Sequence, residues 1–158
     1  MLTQLNEKVE QVLSEISEDS ERKWGVMEVQ HMLEHLASVF DFSTGKFGIP
    51  FSGDEEKAAK EKAFFFSERY PFPRKKTLQN EDLPSPPDLK AENLEAAKDM
   101  MKQAFQGYVD HYEKHPEQEN PHPNFNLFTP KEWMEFHVKH VEHHLMQFSV
   151  LPEPEEVV

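Results

Sequence analysis

The stretch Trp133-Met134-Glu135-Phe136-His137-Val138-Lys139-His140-Val141-Glu142-His143-His144-Leu145-Met146-Gln147-Phe148 constrains the fold of this chain more than any other. Its beginning is marked by the residues just before it. Thr129-Pro130-Lys131-Glu132 reads as a capping box with proline at the first helical position, and Phe128 and Trp133 stand where a hydrophobic staple would close over it. The pattern predicts an α-helix from Thr129 to Phe148. On its wheel Trp133, Phe136, His137, His140, Val141, His144 and Phe148 share the inward face, and His143 falls towards its edge. His140 and His144 are four residues apart, so a helix stacks their imidazoles one turn apart on one side. Imidazoles in the middle of an apolar stripe are costly to bury without partners. Two arrangements meet that cost: a transition metal completed by a third ligand from elsewhere in the fold, or a hydrogen-bonded histidine cluster with no metal.

Composition limits what can help them. The chain has no cysteine, which removes disulfides, thiolate zinc sites and a cysteine nucleophile together. Any metal must rest on histidine and carboxylate. A formal charge of -13, from 30 acidic against 17 basic residues, offers no basic face to a nucleic-acid backbone or to an anionic membrane surface. No apolar run resembles a signal peptide or reaches transmembrane length, so the expected location is cytoplasmic. A chain of 158 residues with 13 Phe, 2 Trp and 7 Met can bury the core of one domain. That domain is expected over residues 1–151, followed by a loose acidic tail over 152–158.

Three further helices are predicted by apolar periodicity. In the first, Leu2, Leu5, Val9, Val12, Leu13 and Ile16 form the stripe. The second follows Trp24-Gly25 with Val29, Met32, Leu33, Leu36, Val39 and Phe40, and Gly45 is its terminator. Asp88 caps the third, whose stripe runs through Leu94, Ala97, Met101, Ala104, Phe105, Tyr108 and Tyr112 to about Lys114, before His115-Pro116. His111 and His115 are read as exposed at that C-terminus, where cations are favoured. No segment reads as a strand, and Pro121-His122-Pro123-Asn124-Phe125 reads as a rigid loop. The expected fold is all-α: a four-helix bundle with a long crossover, residues 44–87, between helices two and three. Inside that crossover, Asp54 to Phe66 could form a short helix that packs Phe64, Phe65 and Phe66 on the bundle. Proline density from Pro71 to Pro87 forbids regular structure. Arg74, Lys75 and Lys76 form a basic cluster, either a solvated loop or a guide for an anionic ligand.

Helix two carries its own pair at the same spacing, His31 and His35, at one edge of its apolar stripe with Glu28 nearby. Alone they would be boundary histidines. Facing the pair on the last helix, His35 with His140 and His144 makes a three-nitrogen tripod that leaves a position open, the arrangement of catalytic rather than structural zinc. A di-iron carboxylate site wants two Glu-x-x-His motifs, and only Glu28-x-x-His31 is present.

The blocks Trp24-Gly25-Val26-Met27, Gln30-His31-Met32-Leu33-Glu34-His35-Leu36-Ala37, His122-Pro123, Glu132-Trp133 and His140-Val141-Glu142-His143-His144-Leu145-Met146-Gln147-Phe148 resemble, in this order, the DinB-like superfamily, and within it a subfamily of unknown function. The resemblance implies a four-helix bundle with a divalent metal, usually zinc or nickel, bound by one histidine of helix two and two of helix four. Those positions match His35, His140 and His144. Members with known activity include S-transferases and isomerases that use low-molecular-weight thiols, and others are classed as metal-dependent hydrolases. Many relatives have Arg-Gly after the last ligand histidine, where this chain has Leu145-Met146, so their substrate contacts do not carry over. The expected function is a divalent-metal-dependent hydrolase or thiol transferase. Its substrate would be a small molecule, anionic or thiol-containing, with Glu28, His31 and His137 as acid–base or supporting residues. The alternative is a non-catalytic bundle, metal-binding or metal-free, that serves as an interaction protein. Neither nucleic acid nor membrane is expected as a partner, and a homodimer is consistent with the family.

Overall fold

The computed structural model describes residues 2–46, 51–67 and 85–153. It is mostly helical, with five helices and one small sheet among those residues. Helix α1 spans Leu2–Glu15, α2 Val29–Ser43, α3 Glu55–Ser67, α4 Leu94–Lys114 and α5 Pro130–Gln147; strands β1 (Asn120–His122) and β2 (Asn126–Phe128) precede α5. The main packing partners are α2 with α4 and α1 with α5, and smaller contacts of α2 with α5 and α1 with α4 join the pairs.

The stripes read from the sequence form this core. Leu5, Val9, Val12 and Ile16 of the first segment are buried, as are Val29, Met32, Leu33, Leu36, Val39 and Phe40 of α2 and Ala97, Met101, Ala104, Phe105 and Tyr108 of α4. Helix α2 stops where expected: Thr44 is the C-cap, and Gly45 follows at φ +81, a conformation that glycine reaches without penalty. Helix α5 begins as its capping box dictates. The Thr129 hydroxyl accepts from the Glu132 N–H at 3.1 Å, and the Glu132 carboxylate accepts from the Thr129 N–H at 3.0 Å. Phe128 closes on Trp133 with ring centroids 4.9 Å apart.

Two expectations need correction. Helix α4 starts at Leu94 rather than at Asp88, and its cap is Asn93, whose side chain accepts from the Ala96 N–H at 2.8 Å. Ahead of that cap, the buried Glu34 carboxylate accepts from the backbone N–H groups of Lys90 (2.7 Å) and Ala91 (3.2 Å). These two bonds tie the backbone ahead of α4 to α2. The supposed loop around His122 is an antiparallel hairpin pairing Asn120 with Phe128, Pro121 with Leu127 and His122 with Asn126. Asn126 turns it at φ +64, and the Trp133 indole donates to the Asn120 carbonyl at 3.1 Å, fixing the hairpin on α5.

The short helix in the crossover is present as α3. Asp54 caps it, its carboxylate accepting from the N–H groups of Glu56 and Lys57 at 2.9 and 3.1 Å. Two of the three phenylalanines pack: Phe65 against Phe136 (centroids 5.7 Å) and Phe66 against Phe128 (5.3 Å), whereas Phe64 is exposed. Lys62 pins the helix by donating to the Leu127 carbonyl and pairing with Glu132 at 3.0 Å. Arg74, Lys75 and Lys76, and most of the expected tail, lie outside the described residues. No helix among the described residues is long and apolar enough to cross a membrane.

Candidate metal centre

Helix α5 delivers His140 and His144, both at most 5% exposed, and α2 delivers His35, which is half-buried. Their rings stand edge to face: His35 lies at 88° to His140 and 77° to His144, with centroids 4.8 and 5.2 Å apart. This turns the Nε2 atoms towards one another. His140 Nε2 is 3.0 Å from His35 Nε2 and 3.1 Å from His144 Nε2, and one ligand atom from each residue lies within 4.8 Å of the others. Among the described residues these three form the group of histidines and carboxylates able to hold a metal ion.

The donor set fits a divalent metal. Nitrogens at zinc's bonding distance of 2.0–2.1 Å sit about 3.3 Å apart around a tetrahedral ion, close to the two observed separations. Hydrogen bonding alone serves the cluster poorly. His140 Nε2 is common to both contacts, and a neutral imidazole nitrogen offers either one proton or one lone pair. A cation at the centre satisfies all three lone pairs at once.

Electrostatics favour the ligand form. Burial, and then the neighbouring histidines, hold His140 and His144 well below the ordinary imidazole range, and burial lowers His35 as well. Neutral imidazole is the state that binds metal. Which nitrogen of His144 carries its proton follows from its partner. His144 Nδ1 lies 2.7 Å from Gln147 Oε1, while Gln147 Nε2 donates to the Trp24 carbonyl at 3.0 Å. The amide must present its oxygen to His144, so Nδ1 carries the proton and Nε2 is bare.

Aromatic rings line the triad. The Phe136 ring lies 5.5 Å from that of His140, and on the other side Trp24 covers His143 at 5.3 Å, with His143 in turn 5.0 Å from His144. His35 is the least buried of the three.

The remaining histidines have other uses. His31 Nδ1 accepts from the Glu28 N–H at 3.1 Å; the two residues form the capping box that starts α2. The Glu28 carboxylate faces Arg22 at 3.6 Å and is mostly exposed. These contacts tie both residues to the helix start rather than to the triad. His137 is buried among Phe40, Tyr108 and Trp133. Its Nε2 lies 3.0 Å from Ser43 Oγ, and since that hydroxyl already donates to the Phe40 carbonyl at 2.7 Å, His137 is the donor. Burial, helped by His122, pushes His137 down to about 3. His115 is exposed as expected, and His111 is half-buried, 2.6 Å from Gln118 Oε1. Nothing in their residue types marks Gln147, Trp24 and Gly25 as site residues. Only the i, i+3 spacing of Gln147 from His144 could have pointed to the first of them.

Among curated proteins and among solved structures, none matches this chain. One family model matches over residues 1–150, a span that takes in the five helices among the described residues and all three converging histidines. The chain therefore belongs to the family described as Protein of unknown function (DUF1569).

Proposed function

We propose that this protein is a divalent-metal-dependent enzyme of the DinB-like type. In this reading α1, α2, α4 and α5 are the four helices of the bundle, α3 belongs to the crossover, and zinc or nickel is held by His35, His140 and His144. One observation carries it: three neutral histidines from two helices turn their Nε2 atoms onto a common point. The ligand group numbers three among the described residues, which suits a site with a position left for substrate rather than a closed structural one.

A divalent metal there would supply Lewis acidity, lowering the pKa of a water or low-molecular-weight thiol so that a nucleophile exists near neutral pH. The chain's own residues prepare the place. Burial keeps His140 and His144 unprotonated, and the Phe136 ring holds water off one side of His140. The least buried of the three, His35, marks the side by which a small molecule would enter. Hydrolysis and thiol transfer both fit this arrangement, and the substrate is a small anionic or thiol-bearing molecule. Glu28, His31 and His137 support the site's framework through their cap and their aromatic cage.

The test is metal content. Untagged protein purified from cells supplied with zinc, nickel and manganese should carry about one metal ion per chain by mass spectrometry, and His144→Ala should carry almost none. Wild-type protein without stoichiometric metal would overturn the reading, and full occupancy in His144→Ala would overturn the ligand set. In cobalt-substituted protein, visible bands that shift with pH report an exchangeable water, whereas pH-independent bands would argue for a closed, non-catalytic site.

A further inference from the structure

The end of α5 is strapped by a loop from the other side of the sequence. The Lys23 N–H donates to the Gln147 carbonyl at 2.8 Å, the Ser149 hydroxyl to the Glu21 carbonyl at 2.8 Å, and the Gln147 amide to the Trp24 carbonyl at 3.0 Å. Gln147 is 4% exposed, so its amide cannot reorient into water when a partner is lost. Gly25 makes this approach feasible. It sits at φ +83, and a Cβ added there would lie 2.9 Å from Gln147 Nε2.

We propose that Gln147, oriented by the Trp24 carbonyl, is a positioning residue that fixes His144 with Nε2 bare, so that docking of the 21–25 loop sets the triad's affinity for a divalent cation. The proposal rests on the metal reading above and adds to it a control of affinity by residues that touch no metal. The logic is a chain of single options. The Trp24 carbonyl can only accept, so it takes the NH2 end of the amide and leaves the oxygen for His144 Nδ1–H. A free histidine side chain prefers its proton on Nε2, the nitrogen needed here as the ligand. Without Gln147 the ring therefore reverts to the tautomer that cannot bind. Hydrogen-bonding partners behind metal-ligating histidines contribute about 10–100-fold in affinity. Gly25→Ala tests the strap from its far side. The added methyl strains the loop backbone at φ +83 and presses on Gln147 Nε2, so the loop and the amide are driven apart.

Two measurements decide it. Long-range proton–nitrogen correlation spectra of metal-free wild-type protein at pH 8, with His144 assigned by its loss in His144→Gln, should show His144 protonated at Nδ1. Competition between protein and a chromophoric chelator for Zn2+ should show Gln147→Leu weakened about 10–100-fold. Gly25→Ala should weaken in the same direction. A proton on Nε2 in the wild type, or Gln147→Leu within twofold of wild type, overturns the proposal. The spectra need no variant at Gln147, so they decide the tautomer even if Gln147→Leu fails to fold. Wild-type protein that binds no Zn2+ overturns the metal reading and with it the control of affinity. That failure is distinct, because it leaves a His144 tautomer set by Gln147 in place.

Discussion

Two groups of buried histidines lie along α5, and they differ in what their nitrogens face. Towards the C-terminal end, His140 and His144 meet His35 with the Nε2 atoms 3.0 and 3.1 Å apart. Towards the N-terminal end, His137 and His122 sit within a cage of rings, Phe40, Tyr108 and Trp133 around the first and Phe125, Phe128 and Trp133 around the second. There each imidazole has a private partner. His137 donates to Ser43 Oγ, and His122 Nδ1 accepts from the Asn124 N–H at 3.0 Å. All four of these α5 and hairpin histidines are buried and kept neutral. Burial and a depressed pKa therefore do not mark a ligand. Convergence of lone pairs is what sets the candidate ligands apart, and the caged pair serves as polar aromatic packing that positions the helix carrying them.

The largest expected effect breaks the comparison outright. His140→Ala should abolish stoichiometric metal binding, since two imidazoles from different helices make a poor site. His137→Phe replaces a caged ring with another of similar shape and should keep one metal per chain. Its cost is a lost hydrogen bond and slight overpacking, on the order of 1–3 kcal/mol in urea unfolding. Equal metal loss in the two variants, read by mass spectrometry of purified protein, would show that the division is wrong.

That division is also where the sequence stops being legible. The capping box at Thr129, the stripe of α5 and the His140–His144 spacing are local features, and local rules read them. On the wheel, however, His137 lies on the same inward face as the proposed ligands, and nothing in a helical period says which inward histidine meets lone pairs and which meets rings. His31 and His35 were equally ambiguous at the edge of one stripe, until a cap took the first and a facing helix took the second. The hairpin escaped because strands of three residues are too short to show alternation. The start of α4 escaped because Asp88 and Asn93 are both capping residue types, and it is the Asn93 side chain that takes a helix amide. Gln147 escaped because a wheel assigns one buried face, whereas the end of α5 is also covered by the 21–25 loop.

A smaller effect sharpens the comparison through pH. Burial pushes His122 down to about 4 and His137 to about 3 from an ordinary 6.5. The unfolded chain therefore binds protons at these positions before the folded one does. Their contribution to stability is fully present above pH 6.5 and declines as pH falls towards 4 for His122 and 3 for His137. Each histidine costs up to about 1.4 kcal/mol per pH unit in that window. Urea midpoints of metal-free protein should fall between pH 7.5 and pH 5.5. The fall should be shallower in His137→Phe by one histidine's share, and an identical pH slope in that variant would mean His137 is not held neutral by its cage.

The smallest effect concerns the one histidine of α2 that belongs to neither group. His31 lies a turn before a proposed ligand, yet its nitrogen takes the Glu28 N–H, so it stabilises a helix start. Loss of such a cap costs about 0.5–1 kcal/mol when the position is partly solvated. His31→Ala should therefore lower the unfolding free energy by that amount in urea titrations, at equal metal content. A tenfold or greater loss of metal affinity with unchanged stability would instead place His31 with the ligands. The helix start would then be part of the centre, and a capping bond and a metal-supporting bond would no longer be separable by the partner each nitrogen faces.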